Sequence, residues 1–379
     1  MKSMSKAVVQ IQMFCADKEK VYIYGKGKFG QKCKKILDYL NICVQGYIVT
    51  NLSKEDREEQ CIKDGIPIIQ FDDFNVVPDN VGIIIAIDNA YEVLHKVKNR
   101  FKYTIFEDIE YSQIEITTKI GCNVNCKYCP QKMLINKYTE KSNVISLSME
   151  NFKKILENIP KVTNIRFCGM CEPFLNPECA DMIVYAKESG YSVDCYSTLV
   201  GLKMEDVDRV MDAVDAFVPH LPDKERNAKI DVTDEYIEKM QKILNYKRNG
   251  QRLVKDVSVH GKPDDRIKSF IPEDVHVATW LMDRGGNLDT DEVLHYESKA
   301  PLRCQFCDNR LDCNIVLPNG DVLICCMDYG LEYVFGNLLE SGYEKIVDGN
   351  VANSVKKSMI YGENSIICNR CSFAKELLG

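Results

Sequence analysis

The sequence lacks any apolar run approaching the ~20 residues that a membrane-spanning helix requires. Its longest clean run, residues 81–87, reads as a buried strand. It also lacks a basic excess. The formal net charge is −7 and the isoelectric point is near 5.5, so no global field draws nucleic acid or an anionic membrane. Residues 1–10 lack the long apolar core and small-residue cleavage site of a secretory signal. No internal repeat and no low-complexity segment is present. Together these absences predict a cytoplasmic protein with neither a membrane nor a nucleic acid among its partners.

Cysteine, by contrast, is abundant, with eighteen in 379 residues. That density means disulfides in a small secreted domain, but metal ligation in a long chain from a reducing compartment. With 45% hydrophobic residues the chain can bury a sizeable core, and its length suggests two or three domains.

The chain is organised around residues 121–130, where Cys122, Cys126 and Cys129 are spaced C-x3-C-x2-C just after the alternating stretch 113–120. Thiolates suit soft metals, either zinc or iron–sulfur clusters. Three of them leave one iron of a cubane open to a non-protein ligand, whereas a structural zinc needs four protein ligands. The competing reading is a zinc knuckle with a distant fourth ligand. The spacing and the preceding strand resemble the radical S-adenosylmethionine (SAM) superfamily. The resemblance implies a [4Fe–4S] cluster whose open iron is chelated by SAM, and an electron from it that cleaves SAM to a 5′-deoxyadenosyl radical. It also implies that Tyr128 lies beside the adenine.

Residues 1–110 read as a separate Rossmann-like α/β domain: strand 20–24, a turn carrying Gly25, Gly27 and Gly30, a helix through residue 40, and strand 44–49. Such glycines allow a tight turn and close approach of an anion to a helix N-terminus. Five lysines (Lys26, Lys28, Lys32, Lys34, Lys35) either hold a phosphate or form a solvated face. The acid that dinucleotide sites carry about 20 residues on is replaced by Thr50, Asn51 and Leu52, which disfavours NAD.

Residues 111–300 alternate apolar strands and amphipathic helices. Strands are expected at 162–167, 193–196, 216–221, 253–260 and 276–281, and helices at 146–159, 180–189, 204–213 and 234–246. Six β/α units imply a partial (β/α)6 TIM-type barrel with reactive groups at the C-terminal strand ends. Cys168, Gly169, Cys171, Glu172 and Pro173 resemble the superfamily's glycine–glutamate–proline segment, which implies that Gly169 and Glu172 receive the SAM amino group. Ser197 matches a ribose contact, and Arg284 a basic position for the SAM carboxylate or the substrate. His220 and His260 close two strands. They are expected either to relay a proton at a hydroxyl or to be satisfied structural side chains.

Residues 301–379 carry the pattern C-x15-G-x4-C…C-x2-C, formed by Cys304, Gly320, Cys325, Cys368 and Cys371. It resembles the twitch domain, a shortened relative of the SPASM domain, and implies one auxiliary [4Fe–4S] cluster. Cys307, Cys313 and Cys326 compete as ligands, and zinc is the alternative metal. The expected fold is therefore α/β, with an N-terminal Rossmann-like domain, a partial barrel and a small iron–sulfur domain. The expected function is hydrogen abstraction from a carbohydrate-derived substrate, giving oxidation or epimerisation with the auxiliary cluster as electron relay. Flavodoxin or ferredoxin is the expected reductant. Epimerisation needs a cysteine that returns hydrogen, with Cys168, Cys171, Cys195 and Cys307 as candidates. The alternatives are modification of a ribosomal peptide and a SAM-binding redox sensor.

Overall fold

The structure, a computed structural model, describes residues 6–58, 60–87, 89–106, 112–279, 281–288, 296–307 and 311–377. It divides into two compact units, Met4–Tyr111 with Pro160–Val162, and Ser112–Ile159 with Thr163–Gly379.

In the first unit β1 (Lys20–Tyr24), β2 (Val44–Val49), β3 (Ile62–Lys63), β4 (Ile66–Gln70), β5 (Val81–Ile85) and β6 (Lys102–Ile105) form one sheet, in the order β3-β4-β2-β1-β5-β6. All its pairs are parallel except the β3–β4 hairpin. β5 is buried along its whole length, as befits a parallel strand covered on both faces. The helix Lys28–Tyr39 follows the glycine turn. Gly25 sits at φ +109°, and a methyl there would come 2.5 Å from the Ala86 carbonyl oxygen. A methyl on Gly30 would strike the Gly25 carbonyl, so these two glycines close the turn against the sheet, whereas Gly27 faces open space. Lys26 is ion-paired with buried Asp56.

In the second unit β7 (Gln113–Ile116), β8 (Asn164–Phe167), β9 (Ser192–Ser197) and β10 (Ala216–Pro219) run parallel in sequence order. After a small hairpin of β11 (Lys247–Arg248) and β12 (Gln251–Arg252), β13 (Asp256–Ser258) pairs in parallel with β14 (His276–Ala278). A parallel bridge between His220 and Ser258 carries the curved surface from β10 to β13. The result is a partial barrel of six parallel strands among the described residues.

Helices cover its outside because their apolar residues recur on one face. In Met149–Glu157 the residues Phe152, Ile155 and Leu156 are buried, and the Ser148 hydroxyl accepts from the Asn151 amide at 3.2 Å. A cap of this kind stabilises by about 1 kcal/mol. The stretch 113–120 is strand only as far as Ile116. Beyond it Thr117 accepts from the Met170 amide, and the Thr118 hydroxyl donates to the Pro173 carbonyl, bending the chain into the cysteine loop.

The C-terminal strands join this sheet. After β15 (Leu302–Cys304), β16 (Cys313–Val316) pairs in parallel with β7, and β17 (Asp321–Leu323) and β18 (Val334–Asn337) follow antiparallel; β19 (Ala374–Glu376) pairs with β15. The hairpin thus covers the edge that β7 would otherwise expose.

Candidate metal and cofactor centre

The loop after β7 carries Cys122, Cys126 and Cys129, all partly buried. The Cys129 amide donates to the Cys126 carbonyl at 3.2 Å. The Cys129 sulfur lies 3.5 Å from both the Gln131 amide nitrogen, which donates to it, and the Tyr329 hydroxyl. Backbone amides of Val124 and Glu172 reach the Cys122 sulfur. Burial pushes the Cys122 thiol up, and the Cys126 thiol up to about 12. Only a cationic centre would make them thiolates at neutral pH. Among the described residues no three His, Cys, Asp or Glu groups converge on a single ion. A cubane spaces its thiolates more widely than one ion does.

Tyr128 is buried, its ring edge-on to His260 with centroids 5.4 Å apart. Gly169 has φ +53°, and a methyl there would lie 2.7 Å from the Thr117 backbone. That backbone contact is what the glycine permits.

Glu172 is buried and its carboxylate is fully engaged. One oxygen accepts from the Ser197 hydroxyl at 2.7 Å and the Phe174 amide at 3.2 Å. The other accepts from the amide and hydroxyl of Thr198, both at 2.6 Å. These four donors fill the lone-pair sites of a carboxylate. Glu172 therefore fastens the loop after β8 to the end of β9. Burial pushes it up to about 7 although these hydrogen bonds pull the other way. Ser197, besides donating to Glu172, accepts from the Leu199 amide at 2.8 Å.

His220 and His260 are in contact, with ring centroids 4.4 Å apart and the ring planes tilted by 57°. His220 Nδ1 lies 2.9 Å from the Ser258 hydroxyl, while its Nε2 and His260 Nδ1 are buried without a hydrogen-bond partner. Burial holds His220 down at about 3 and His260 at about 4, assisted by the Arg284 charge, so both rings are neutral at pH 7. Arg284 stands at the start of a 3-10 turn, its guanidinium 5.8 Å from the Tyr329 ring and its Nε buried and unpartnered.

A charged row crosses the barrel face where Glu115, Arg166 and Asp194 stand in register on β7, β8 and β9. Arg166 lies 3.9 Å from Glu115 and 3.2 Å from Asp194. The Cys168 thiol hydrogen-bonds Glu115. Of the other candidate hydrogen donors, Cys195 is buried in the apolar core and Cys171 lies 3.8 Å from the Thr118 hydroxyl.

At the C-terminal end Cys304, Cys325, Cys368 and Cys371 all line one pocket, with Cys307 and Cys326 also in its wall. Ile324, Met327, Ile367 and Phe373 are among its apolar walls. Cys313 is not in this lining; its sulfur lies 4.0 Å from the Phe306 carbonyl. Burial pushes the Cys368 and Cys371 thiols up to about 12. A wall of six cysteines in otherwise apolar surroundings suits an iron–sulfur centre.

Sequence reasoning missed Tyr329, Gln131 and Ser258, which carry no local signal. Among the described residues no helix is long and apolar enough to cross a membrane.

Residues 307–372 match the SPASM family, an iron–sulfur cluster-binding domain. Over 165 residues the chain is 26% identical to the dual-specificity RNA methyltransferase RlmN of Bdellovibrio bacteriovorus, a match covering 42% of this chain and 39% of that one. It thus spans about two fifths of the curated relative's length. Among solved structures, BtrN in complex with AdoMet and 2-DOIA aligns with a TM-score of 0.46 at 19% identity, over 70% of this chain and 94% of BtrN. SuiB of Streptococcus suis bound to the precursor peptide SuiA aligns with a TM-score of 0.42 at 12% identity, over 76% of each chain.

Proposed function

We propose that this chain, which belongs to the radical SAM enzymes and carries a SPASM iron–sulfur domain, oxidises or epimerises a carbohydrate-derived substrate by hydrogen abstraction. Its family cofactors are SAM and [4Fe–4S] clusters. Bound together, they supply a primary-carbon radical strong enough to take hydrogen from an unactivated carbon.

The observation that carries the reading is the pairing of two cysteine sites in one unit. A three-cysteine loop leaves room for a non-protein ligand, and a cavity walled by Cys304, Cys325, Cys368 and Cys371 provides a complete ligand set. The first suits SAM chemistry. The second suits electron transfer, because a fully ligated centre has no free position for substrate.

The barrel residues have separate tasks. Tyr128 supplies an aromatic wall, and Glu172 with Ser197 and Thr198 fixes the loop beside it. Arg284 brings a positive charge without a carboxylate partner in an ion pair among the described residues. His220 and His260 are neutral, with His220 Nε2 and His260 Nδ1 unpartnered, so either ring accepts a hydrogen bond from a substrate hydroxyl and orients the carbinol that becomes a ketone. If the product is an epimer, Cys168 is the thiol on the charged barrel face. A one-electron reductant such as flavodoxin or ferredoxin completes the set.

The test is anaerobic turnover with dithionite, SAM and a library of deuterated sugars and aminocyclitols. Deuterium appearing in 5′-deoxyadenosine supports the reading. Transfer only from peptide substrates would replace the carbohydrate with a ribosomal peptide. Reconstituted protein that never forms 5′-deoxyadenosine would be a sensor.

A further inference from the structure

We infer that Tyr329 donates a hydrogen bond to the Cys129 sulfur and thereby raises the reduction potential of the centre held by the cysteine loop. The inference rests on the reading of that loop as a cluster site. Tyr329 is buried, and its hydroxyl lies 3.5 Å from the Cys129 sulfur, a normal separation for a bond to the larger sulfur atom. A ligating thiolate has no proton, so in the loaded protein the phenol must be the donor. A hydrogen bond to a ligand sulfur stabilises the reduced, more negative state and shifts the potential upward.

Three further observations distinguish this from incidental packing. Gln131 approaches the same sulfur from within the loop, also at 3.5 Å, so Cys129 gathers two side-chain donors. The Tyr329 ring faces the Arg284 guanidinium, whose centre is 5.8 Å from the ring centroid, and this holds the phenol in place. Finally, Tyr329 lies four residues beyond Cys325, which lines the second cavity. One short segment therefore supplies a wall of the C-terminal site and a donor to the first site. Tyr329 is a positioning residue that acts through Cys129.

The experiment is an anaerobic redox titration of the reconstituted full chain, following the electron paramagnetic signal of each centre. Tyr329→Phe keeps the ring and removes only the hydroxyl. Its reduction equilibrium at the loop centre is expected to fall about fivefold to tenfold, or about 40–60 mV at 59 mV per decade for one electron. The C-terminal centre should be unmoved. Placing 3,5-difluorotyrosine at position 329 strengthens the donor and should shift the loop centre the other way, which keeps the inference testable if the phenylalanine variant loads poorly. A loop centre unmoved by both changes, or both centres moving together, overturns the role of Tyr329 while leaving the cluster reading intact. If replacing Cys122, Cys126 and Cys129 together leaves iron content and spectrum unchanged, the cluster reading falls and this inference with it.

Discussion

Glu172 and Thr198 meet twice, the same carboxylate oxygen accepting both the backbone amide and the hydroxyl at 2.6 Å. The other oxygen holds Ser197 and Phe174, so one buried side chain ties together the ends of two barrel strands. In Glu172→Gln an NH2 group replaces one acceptor and faces donors. That leaves buried donors unpaired, at a cost of about 1–3 kcal/mol. Thermal or urea denaturation should show this loss, and an unchanged midpoint would mean that the carboxylate does not fasten the loop.

Gly169 makes a second mechanical demand on the same region. Its φ of +53° costs an alanine roughly 1 kcal/mol. The 2.7 Å approach to the Thr117 backbone adds overpacking of about 1–3 kcal/mol. Gly169→Ala is therefore expected to lower stability by about 2–4 kcal/mol and to weaken SAM binding, read by calorimetry on the reconstituted protein. Wild-type stability in this variant would show that the turn relaxes freely.

These constraints mark where sequence reasoning stops. The ends of β1 and β2 are legible because parallel strands buried on both faces read as short apolar runs bounded by turn residues. The helix that Ser148 caps is legible from its apolar spacing, but it starts at Met149 and not at residue 146, because the Ser148 hydroxyl takes a free amide of the first turn. The pairing of β16 with β7 is not, since the partners lie some 200 positions apart in the chain and each carries only a generic strand pattern. The contact between Cys129 and Tyr329 is hidden for the same reason. Glu172 could be singled out from its neighbours Gly169 and Pro173, but nothing local reveals that four donors saturate it.

The paired histidines should leave a pH signature. Both lie below the ordinary value of 6.5, His220 at about 3 and His260 at about 4. Between these values and 6.5 the unfolded chain binds more protons than the folded one, so stability rises with pH. It is complete above about 6.5 and lost as pH falls through the folded values, with a slope of at most about 1.4 kcal/mol per pH unit for each histidine. Urea unfolding at pH 5 and 7.5 should resolve this, and His220→Gln should remove one histidine's share of the difference. An undiminished difference would show that the His220 ring is open to solvent.

The C-terminal cavity offers a choice among cysteines that the spacing leaves open. Cys304, Cys307, Cys325, Cys326, Cys368 and Cys371 line it, and Cys313 does not. On the proposed reading Cys368→Ala removes one of four ligands from the C-terminal site. Anaerobically reconstituted protein should then lose about half its iron, a cubane's worth, with the loop centre's SAM-dependent signal retained. Cys313→Ser should leave iron unchanged. Cys307 and Cys304 hydrogen-bond each other in the wall, so serine at each position in turn identifies the ligand as the one whose loss lowers iron. Full iron in Cys368→Ala, or a loss in Cys313→Ser equal to that variant's, would move the centre away from this cavity and remove the electron relay from the proposed oxidation.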